Sequence, residues 1–308
     1  MILITGANGF LGSHVVPRFK DYSIATPTSR MYDLTNIYAV NKLFQIYRPK
    51  IVLHMAAVCG GILANKNSPA DFIHKNVKMT SNIFDAVIKH NVEYLYTLGS
   101  VCAYPKYCPV PFKEEDLWNG LPEETNAPYG QAKRLQLSMQ QAYRQQYGLK
   151  GAHLIPVNMY GEHDHFDLTN SHVIPALIRK YVEANEQNKP SVPVWGTGEA
   201  TREFLYAGDC AKAIHKAIVD RFDCYNPINI GTGVDISIKD LAYLVADMVG
   251  YRGQTVFTGE VSDGQPKRQL DVSRAKKLLG FEAKTDFRTG LRKTIDWYLA
   301  TRKERYDR

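Results

Sequence analysis

Ile2-Leu3-Ile4-Thr5-Gly6-Ala7-Asn8-Gly9-Phe10-Leu11-Gly12 decides how the rest of the chain is read. Ile2 to Thr5 is a short uncharged run of the kind that suits a strand buried on both faces. Gly6, Gly9 and Gly12 follow it at once and open a helix. Glycine is needed where a chain turns tightly, where backbone approaches a pyrophosphate, and where a helix packs closely on a sheet. The first turn of such a helix offers free N–H groups and a positive dipole end to phosphates. Three glycines in a turn can also be purely structural. Their place directly after a buried strand favours a dinucleotide site.

Working outward, Ile51-Val52-Leu53-His54 and Tyr94-Leu95-Tyr96-Thr97-Leu98 repeat the buried-strand pattern. Between them Ser68-Pro69 supplies an N-cap and a proline at the first helical position. Ile73, Val77, Phe84, Val87 and Ile88 then trace one helical face towards Asn91. A further helix is expected from about 129 to 147, stopped by Gly148. Alternation of this kind predicts an α/β fold, a Rossmann-type doubly wound parallel sheet. After residue 160 prolines at 175, 190 and 193 and the Trp195-Gly196-Thr197-Gly198 loop loosen the rhythm. Ser237 with Asp240 resembles a capping box ahead of Leu241, Leu244, Val245 and Met248, in a helix closed by Gly250. The expected division is a cofactor domain at 1–160 with a returning segment near 203–232. Residues 161–202 and 233–308 would form a smaller C-terminal substrate-binding lobe.

Composition narrows the class. The 308 residues are 44% hydrophobic and 22% charged, which excludes a disordered chain. No apolar run approaches the ~20 residues of a membrane span. The first residues have no basic region, so no secretory signal is expected. Five cysteines, an odd number without a CxxC pair, point to a reducing cytoplasmic setting. Net charge is +7, and residues 267–308 alone hold 13 Lys/Arg against 6 Asp/Glu, which accounts for all of it. Such a stretch is usually a solvated helical surface; neither a recognition helix nor a zinc knuckle accompanies the charge, so if it has a phosphate-rich partner a nucleotide is favoured over nucleic acid.

The cofactor's identity is read from the second strand, near residues 22–25, and the loop Thr26-Pro27-Thr28-Ser29-Arg30 behind it. An NAD-binding chain places Asp or Glu there for the ribose hydroxyls. This loop has hydroxyls and a cation instead, which favours NADP(H), although Arg30 could also be an ordinary exposed arginine. Asp33-Leu34 fall where adenine contacts are expected. Further on, Tyr129-Gly130-Gln131-Ala132-Lys133 puts a phenol and an ammonium four residues apart on one helical face. A nearby cation favours phenolate and would pull the tyrosine's pKa of ~10 towards neutrality. Such a pair suits proton exchange with a carbonyl oxygen during hydride transfer.

Taken in order, Gly6/Gly9/Gly12, His54-Met55-Ala56-Ala57, Ser100, Tyr129/Lys133 and Pro156-Val157-Asn158-Met159-Tyr160-Gly161 resemble the extended short-chain dehydrogenase/reductase family. The likeness is strongest to its branch acting on GDP-linked 4-keto-6-deoxy sugars. Cys59-Gly60-Gly61-Ile62-Leu63-Ala64-Asn65, Pro69-Ala70-Asp71-Phe72-Ile73, Gly99-Ser100-Val101-Cys102-Ala103-Tyr104-Pro105 and Asn170-Ser171-His172-Val173-Ile174-Pro175-Ala176-Leu177 carry it. The resemblance implies that Ser100 hydrogen-bonds the substrate carbonyl, Tyr129 supplies the proton, and Lys133 also holds the nicotinamide ribose. It makes Cys102 and His172 an epimerase pair at C3 and C5. Cofactor contacts would come from Gly6, Asn8, Gly9, Phe10, Leu11, Gly12, Ser29, Arg30, Asp33, Leu34, Ala56, Leu98, Gly99, Lys133, Pro156, Asn158, Met159 and His172. The nucleotide-sugar would be held by Asn158, Lys180, Trp195, Arg202 and Asp263.

Departures from the family pattern are Lys180 where an arginine is expected, Val101 for a second serine, and Glu162 where proline commonly follows Tyr-Gly. His163-Asp164-His165 fits no zinc spacing; it reads as a solvated loop, and no metal is expected. The expected assembly is a homodimer through the helices near 69–90 and 129–147. The expected reaction is NADPH-dependent C3/C5 epimerisation followed by C4 reduction. Alternatives are a related GDP-4-keto sugar, as in colitose-type synthesis, or C4 reduction alone. A 4,6-dehydratase is disfavoured because Val101-Cys102 stands where such enzymes carry an acidic pair. A catalytically dead, NADP-sensing regulator is disfavoured by the intact Ser100, Tyr129 and Lys133.

Overall fold

A computed structural model of the chain describes residues 1–168, 171–259 and 265–305. Strand β1 (Ile2–Thr5) is buried at every position. Its side chains alternate across the sheet as a pleat requires: Ile2 and Ile4 enter one core, Leu3 the opposite one. After β1 come helix α1 (Phe10–Val15), β2 (Ile24–Ala25), α2 (Ile37–Tyr47) and β3 (Ile51–His54). The chain continues through α3 (Ile62–Asn67), α4 (Pro69–Lys89), β4 (Tyr94–Leu98), α5 (Ala127–Tyr147) and β5 (Lys150–Pro156).

The second half holds β6 (Asn158–Tyr160), α6 (Val173–Glu186), β7 (Ser191–Val194), β8 (Thr201–Tyr206), α7 (Ala207–Val219) and β9 (Ile228–Ile230). It ends with β10 (Asp235–Ser237), α8 (Ile238–Val249), β11 (Gln254–Phe257), β12 (Lys267–Arg268) and α9 (Phe287–Arg305). Six strands form a parallel sheet in the order β2-β1-β3-β4-β5-β9. The chain leaves β1 towards β2 on one side and returns to β3 on the other. That reversal opens a crevice at the carboxyl ends of β1 and β3, where doubly wound sheets bind ligands.

Helices cover both faces. Leu11 and Val15 of α1 pack with Ala211 and Ile214 of α7, while Val40, Phe44, Phe84 and Val87 of α2 and α4 cover the other side. A separate core gathers Tyr160, Phe166, Ile178, Tyr181, Leu241, Val245, Ile295 and Tyr298 around α6, α8 and α9. Here β8 pairs with β6, β10 and β12, and β7 pairs with β11. The segment near 203–232 therefore starts outside the large sheet and rejoins it only at β9.

Local expectations fare unevenly. Gly148 and Gly250 end α5 and α8 in left-handed conformations, and the Asp240 N–H donates to Ser237 Oγ at 2.9 Å. Ser68 stands at the N-cap of α4, yet its side chain makes no cap hydrogen bond. Ile73 lies exposed rather than on the buried face of α4. That face runs through Phe72, Asn76, Met79, Ile83, Phe84 and Val87. Asn76 interrupts the apolar stripe because its amide serves both the N–H and the C=O of Val58, pinning the loop after β3.

Candidate active site

The glycine loop sits at the mouth of the crevice. Gly6 has φ +73, and a Cβ on it would meet the Ala56 nitrogen at 2.7 Å. Gly12 is tighter still: a Cβ there would overlap the Ala7 carbonyl and approach Gly6 O at 2.5 Å. Both glycines are demanded by packing of α1 on the β1–β3 junction. Gly9 is different. Its backbone is ordinary extended chain (φ −82, ψ 178), and a Cβ would meet only Gly6 O at 3.3 Å. The fold does not require glycine at 9; a group approaching the backbone from outside would. Asn8 and Gly9 are exposed, and no side chain caps the first turn of α1. This open cradle fits a dinucleotide pyrophosphate. Ser29, Arg30 and Asp33 are exposed along the same edge; Asp33 accepts from the N–H and hydroxyl of Thr35, which lowers its pKa. Leu34 is buried beneath them. Ala56 and Met159 are half-buried and Leu98, Gly99 and Pro156 buried, the last three at the carboxyl ends of β4 and β5.

Beyond β4 the chain enters a single 3-10 turn, Val101–Ala103, with Ser100 as its N-cap. Ser100 Oγ accepts from the Cys102 N–H at 3.2 Å. Helix α5 approaches this turn so closely that a Cβ on Gly130 would overlap the Cys102 carbonyl. That approach brings Tyr129 beside Ser100. Phe72 packs edge-on against the Tyr129 ring, with centroids 6.2 Å apart, and fixes it from the other side. One turn on, Lys133 Nζ donates to Leu98 O at 2.7 Å and lies 5.8 Å from the Tyr129 centroid. Arg134 ties the same helix to the Ala103 carbonyl at 2.7 Å.

The electrostatics correct the expectation that Lys133 makes Tyr129 a phenolate. Burial raises the Tyr129 pKa well above its ordinary value, the Cys59 and Cys102 thiols add to it, and the nearby Ser100 hydroxyl opposes it. The group is a neutral phenol, which is the form a proton donor needs. Burial also brings Lys133 down to about 8, with Cys59 opposing. Beneath it His54 and His153 are buried, each held by a threonine, with Thr5 Oγ1 2.8 Å from His54 Nδ1 and Thr97 Oγ1 2.7 Å from His153 Nδ1. Burial, with Lys133 adding, lowers both to about 3, so they are neutral supports.

Cys102 is half-buried at the same cleft, and two groups without an assigned role join it. Cys59, in the glycine-rich segment after β3, lies within electrostatic reach of Lys133, Asp164 and Cys102. Arg268 Nη1 donates to Cys102 Sγ at 3.8 Å. Neither carried a signal of its own: Cys59 sits in a segment whose glycines explain it, and Arg268 is 166 residues from its partner. His172 forms the N-cap of α6 and stays open to solvent although crowded by neighbours, and burial lowers its pKa. Among the described residues its ring makes no hydrogen bond, and nothing couples it to Cys102. The 163–165 loop is not simply solvated: Asp164 is 2% exposed, with burial raising its pKa to about 7, and His163 packs on Trp297. Glu162 accepts from the Tyr206 hydroxyl, while His14 Nε2 reaches the Glu162 carbonyl oxygen at 2.8 Å.

At the expected nucleotide end, Asn158 Nδ2 donates to Glu203 O at 3.0 Å. Lys180 Nζ donates to Pro193 O at 2.9 Å and lies 4.8 Å over the Trp195 ring, whose side remains 46% exposed. Arg202 Nη1 donates to its neighbour Thr201 O at 2.8 Å. Asp263 lies outside the described residues. The Glu203 carboxylate accepts from the N–H groups of Thr232, Gly233 and Leu270, binding two segments to β8.

A glycine cradle at the switch point of a parallel sheet, with Ser100, Tyr129 and Lys133 gathered beside it, defines a nucleotide-dependent oxidoreductase or epimerase. Residues 2–231 match the NAD dependent epimerase/dehydratase family, and the chain belongs to that family. It is 38% identical over 309 residues to GDP-L-fucose synthase of Escherichia coli (strain K12), covering 97% of this chain and 96% of that protein. It is 35% identical over 301 residues to GDP-L-colitose synthase of Yersinia pseudotuberculosis, covering 97% and 96%. Among solved structures, MlghC, the GDP-mannoheptose C4 reductase from Campylobacter jejuni with NADP bound, superposes with a TM-score of 0.86 at 31% identity, covering 97% of this chain and 98% of that one.

Proposed function

We propose that this chain converts GDP-4-keto-6-deoxy-D-mannose to GDP-L-fucose, inverting C3 and C5 and then reducing C4 with NADPH. One observation carries the reading: the Cys102 thiol sits on the same turn as Ser100, against the helix that presents Tyr129 and Lys133. A base and a reducing triad thus face one sugar. The relatives' names, a fucose synthase and a colitose synthase, support the GDP-sugar class.

NADPH would lie along Gly6 to Gly12, with Arg30 and Ser29 at the ribose phosphate, and Asn158, Met159 and Lys133 towards the nicotinamide. When bound it supplies the hydride. The chain's own residues do the rest. A C4 carbonyl acidifies the protons on C3 and C5; Cys102 removes each as thiolate, and His172 returns a proton on the opposite face. Ser100 holds the C4 oxygen, and Tyr129 hands it the phenolic proton as C4 is reduced. Lys133, with a pKa near 8, restores that proton. Lys180, Trp195, Arg202 and Asp263 would bind the GDP end. The ammonium of Lys180 is already engaged by Pro193 O and the Trp195 face, so it orients the indole where an arginine would fork to a phosphate.

In this reading residues 1–160 and the segment near 203–232 hold the cofactor, and 161–202 with 233–308 hold the sugar nucleotide. The separate core around α6, α8 and α9 supports that division in its main part, while Leu270, Ala275, Leu279 and Phe281 pack into the core of the large sheet. Ile73, Leu135 and Tyr147 are exposed on α4 and α5, which supports a homodimer through those helices. Five free cysteines support a reducing, cytoplasmic setting. No described helix is long and apolar enough to cross a membrane.

The test is incubation with the keto sugar and NADPH in deuterated water, followed by NMR of the product. Deuterium at C3 and C5 with the L-configuration is expected, and Cys102→Ser or His172→Asn should suppress it. A second reading, C4 reduction without inversion, is favoured by the likeness to a C4 reductase. A reduced product with both protons retained would establish it and overturn the first.

A further inference from the structure

The Cys102 sulfur is contacted by a buried cation that no proton-transfer role has required. Arg268 is 8% exposed, and its guanidinium Nη1 donates to Cys102 Sγ at 3.8 Å. It is held there: Arg268 Nε donates to Gln265 Oε1 at 3.0 Å. Gln265 is itself only 3% exposed. Its Nε2 donates to Pro105 O and Lys106 O at 3.0 and 2.8 Å, just past the Cys102 turn. Strand pairing fixes the approach. β12 pairs with β8 in parallel, Lys267 beside Thr201 and Arg268 beside Arg202. Alternation sends Lys267 outward to Asp235, at 3.2 Å, and Arg268 inward.

A guanidinium has five N–H donors and stays charged, and a buried charge is normally paired with an opposite one. Among the described residues Arg268 makes no ion pair. Its polar side-chain neighbours are the neutral Gln265 and the Cys102 sulfur. Cys59 and Tyr129 lie within electrostatic reach of Cys102, and each, once ionised, would oppose a negative sulfur. The Arg268 contact favours it.

We propose that Arg268 is a positioning residue for epimerisation, holding the Cys102 sulfur in place and stabilising it as the thiolate that removes protons from the sugar. The proposal rests on the reading of Cys102 as the base. It also extends it: a strand beside the nucleotide-binding one supplies the counter-charge at the reaction centre. A merely structural arginine would hold the 105–106 loop through Gln265 and leave the thiol's reactivity alone.

The experiment measures alkylation of Cys102 by iodoacetamide in the full-length protein, following the Cys102 and Cys59 peptides by mass spectrometry across pH. Only thiolate reacts appreciably. Arg268→Gln should slow Cys102 about tenfold or more at neutral pH and move its pH profile to the alkaline side, with Cys59 little changed. Arg268→Lys, which keeps the charge, should recover most of the rate. A parental Cys102 profile in Arg268→Gln overturns the proposal, and so does an equal change at both cysteines, which would report a loosened cleft. Failure of the underlying reading looks different. Cys102→Ser would then leave deuterium wash-in at C3 and C5 intact, whatever Arg268 does to the thiol.

Discussion

Gly9→Ala and Gly12→Ala separate what the fold needs from what the ligand needs. At Gly12 the new methyl must clear the Ala7 carbonyl and Gly6 O, the latter at 2.5 Å against the 3.4–4 Å of ordinary contact. Both obstacles are backbone, so α1 must move away from the β1 end by ~1 Å. Overpacking of this order costs about 1–3 kcal/mol, and replacing a helical glycine returns about 0.5–1 kcal/mol. The net loss of ~1–2 kcal/mol lowers the melting temperature of a chain this size by roughly 1.5–3 °C. At Gly9 the methyl meets a single backbone oxygen at 3.3 Å, a slight crowding on backbone any residue can adopt, and alanine is a poorer N-cap than glycine, so melting without ligand should fall only slightly. NADPH binding should nevertheless weaken about tenfold or more, because that methyl occupies the face offered to the pyrophosphate. With NADPH at ~100 times the parental Kd, ligand stabilisation is about 2.7 kcal/mol, and tenfold weaker binding removes about 1.3 kcal/mol of it. Thermal melts with and without NADPH, paired with a fluorescence titration, read both quantities. Parental NADPH affinity in Gly9→Ala would refute the reasoning, as would a Gly12→Ala protein as stable as the parent.

Three further outcomes follow from the same geometry. Tyr129→Phe should lower C4 reduction by about 10²- to 10⁴-fold while NADPH still binds, since positioned proton donors are worth that much; steady-state rates with a direct binding titration check it. Arg30→Asp should shift the ratio of kcat/KM for NADPH over NADH towards NADH, and an unmoved ratio would assign discrimination to other groups on that loop. Burial raises Asp164 to about 7, above its unfolded value of 3.8, so its carboxyl favours the folded state when protonated and that advantage is lost as pH rises through 7. Asp164→Asn should therefore melt higher than the parent above pH ~7 and similarly near pH ~4; a constant difference across pH would remove Asp164 as the titrating group.

The fold was legible wherever one local pattern answered one physical demand. The apolar run at 2–5, the glycines behind it, and the left-handed stops at Gly148 and Gly250 are all short-range matters of burial and backbone freedom. Periodicity places Ile73 on the buried face of α4 because it counts apolar residues, whereas Asn76 is buried for the pair of hydrogen bonds it exchanges with Val58. Ser100, Tyr129 and Lys133 could be picked out because their spacing and order carry the family pattern. Their electrostatics could not. The charge argument predicts phenolate at Tyr129, but how deeply a phenol is buried depends on Phe72 and on the closeness of Gly130 to the next turn. Arg268 and Gln265 were illegible for a topological reason: a two-residue strand near the chain's end meets Cys102 only through a pairing with β8.

That short pairing also bears on how far such a protein can be taken apart and recombined. The family match ends at residue 231, yet the guanidinium on Cys102 comes from beyond it. Grafting a different C-terminal half onto this cofactor domain, to accept another sugar nucleotide, would carry over Ser100, Tyr129 and Lys133 intact. It would leave the thiol without its cation unless the graft brought a basic residue to the same register. Hybrids of this kind should inherit the reduction more readily than the inversion, so that the two halves of the reaction part company at a single strand.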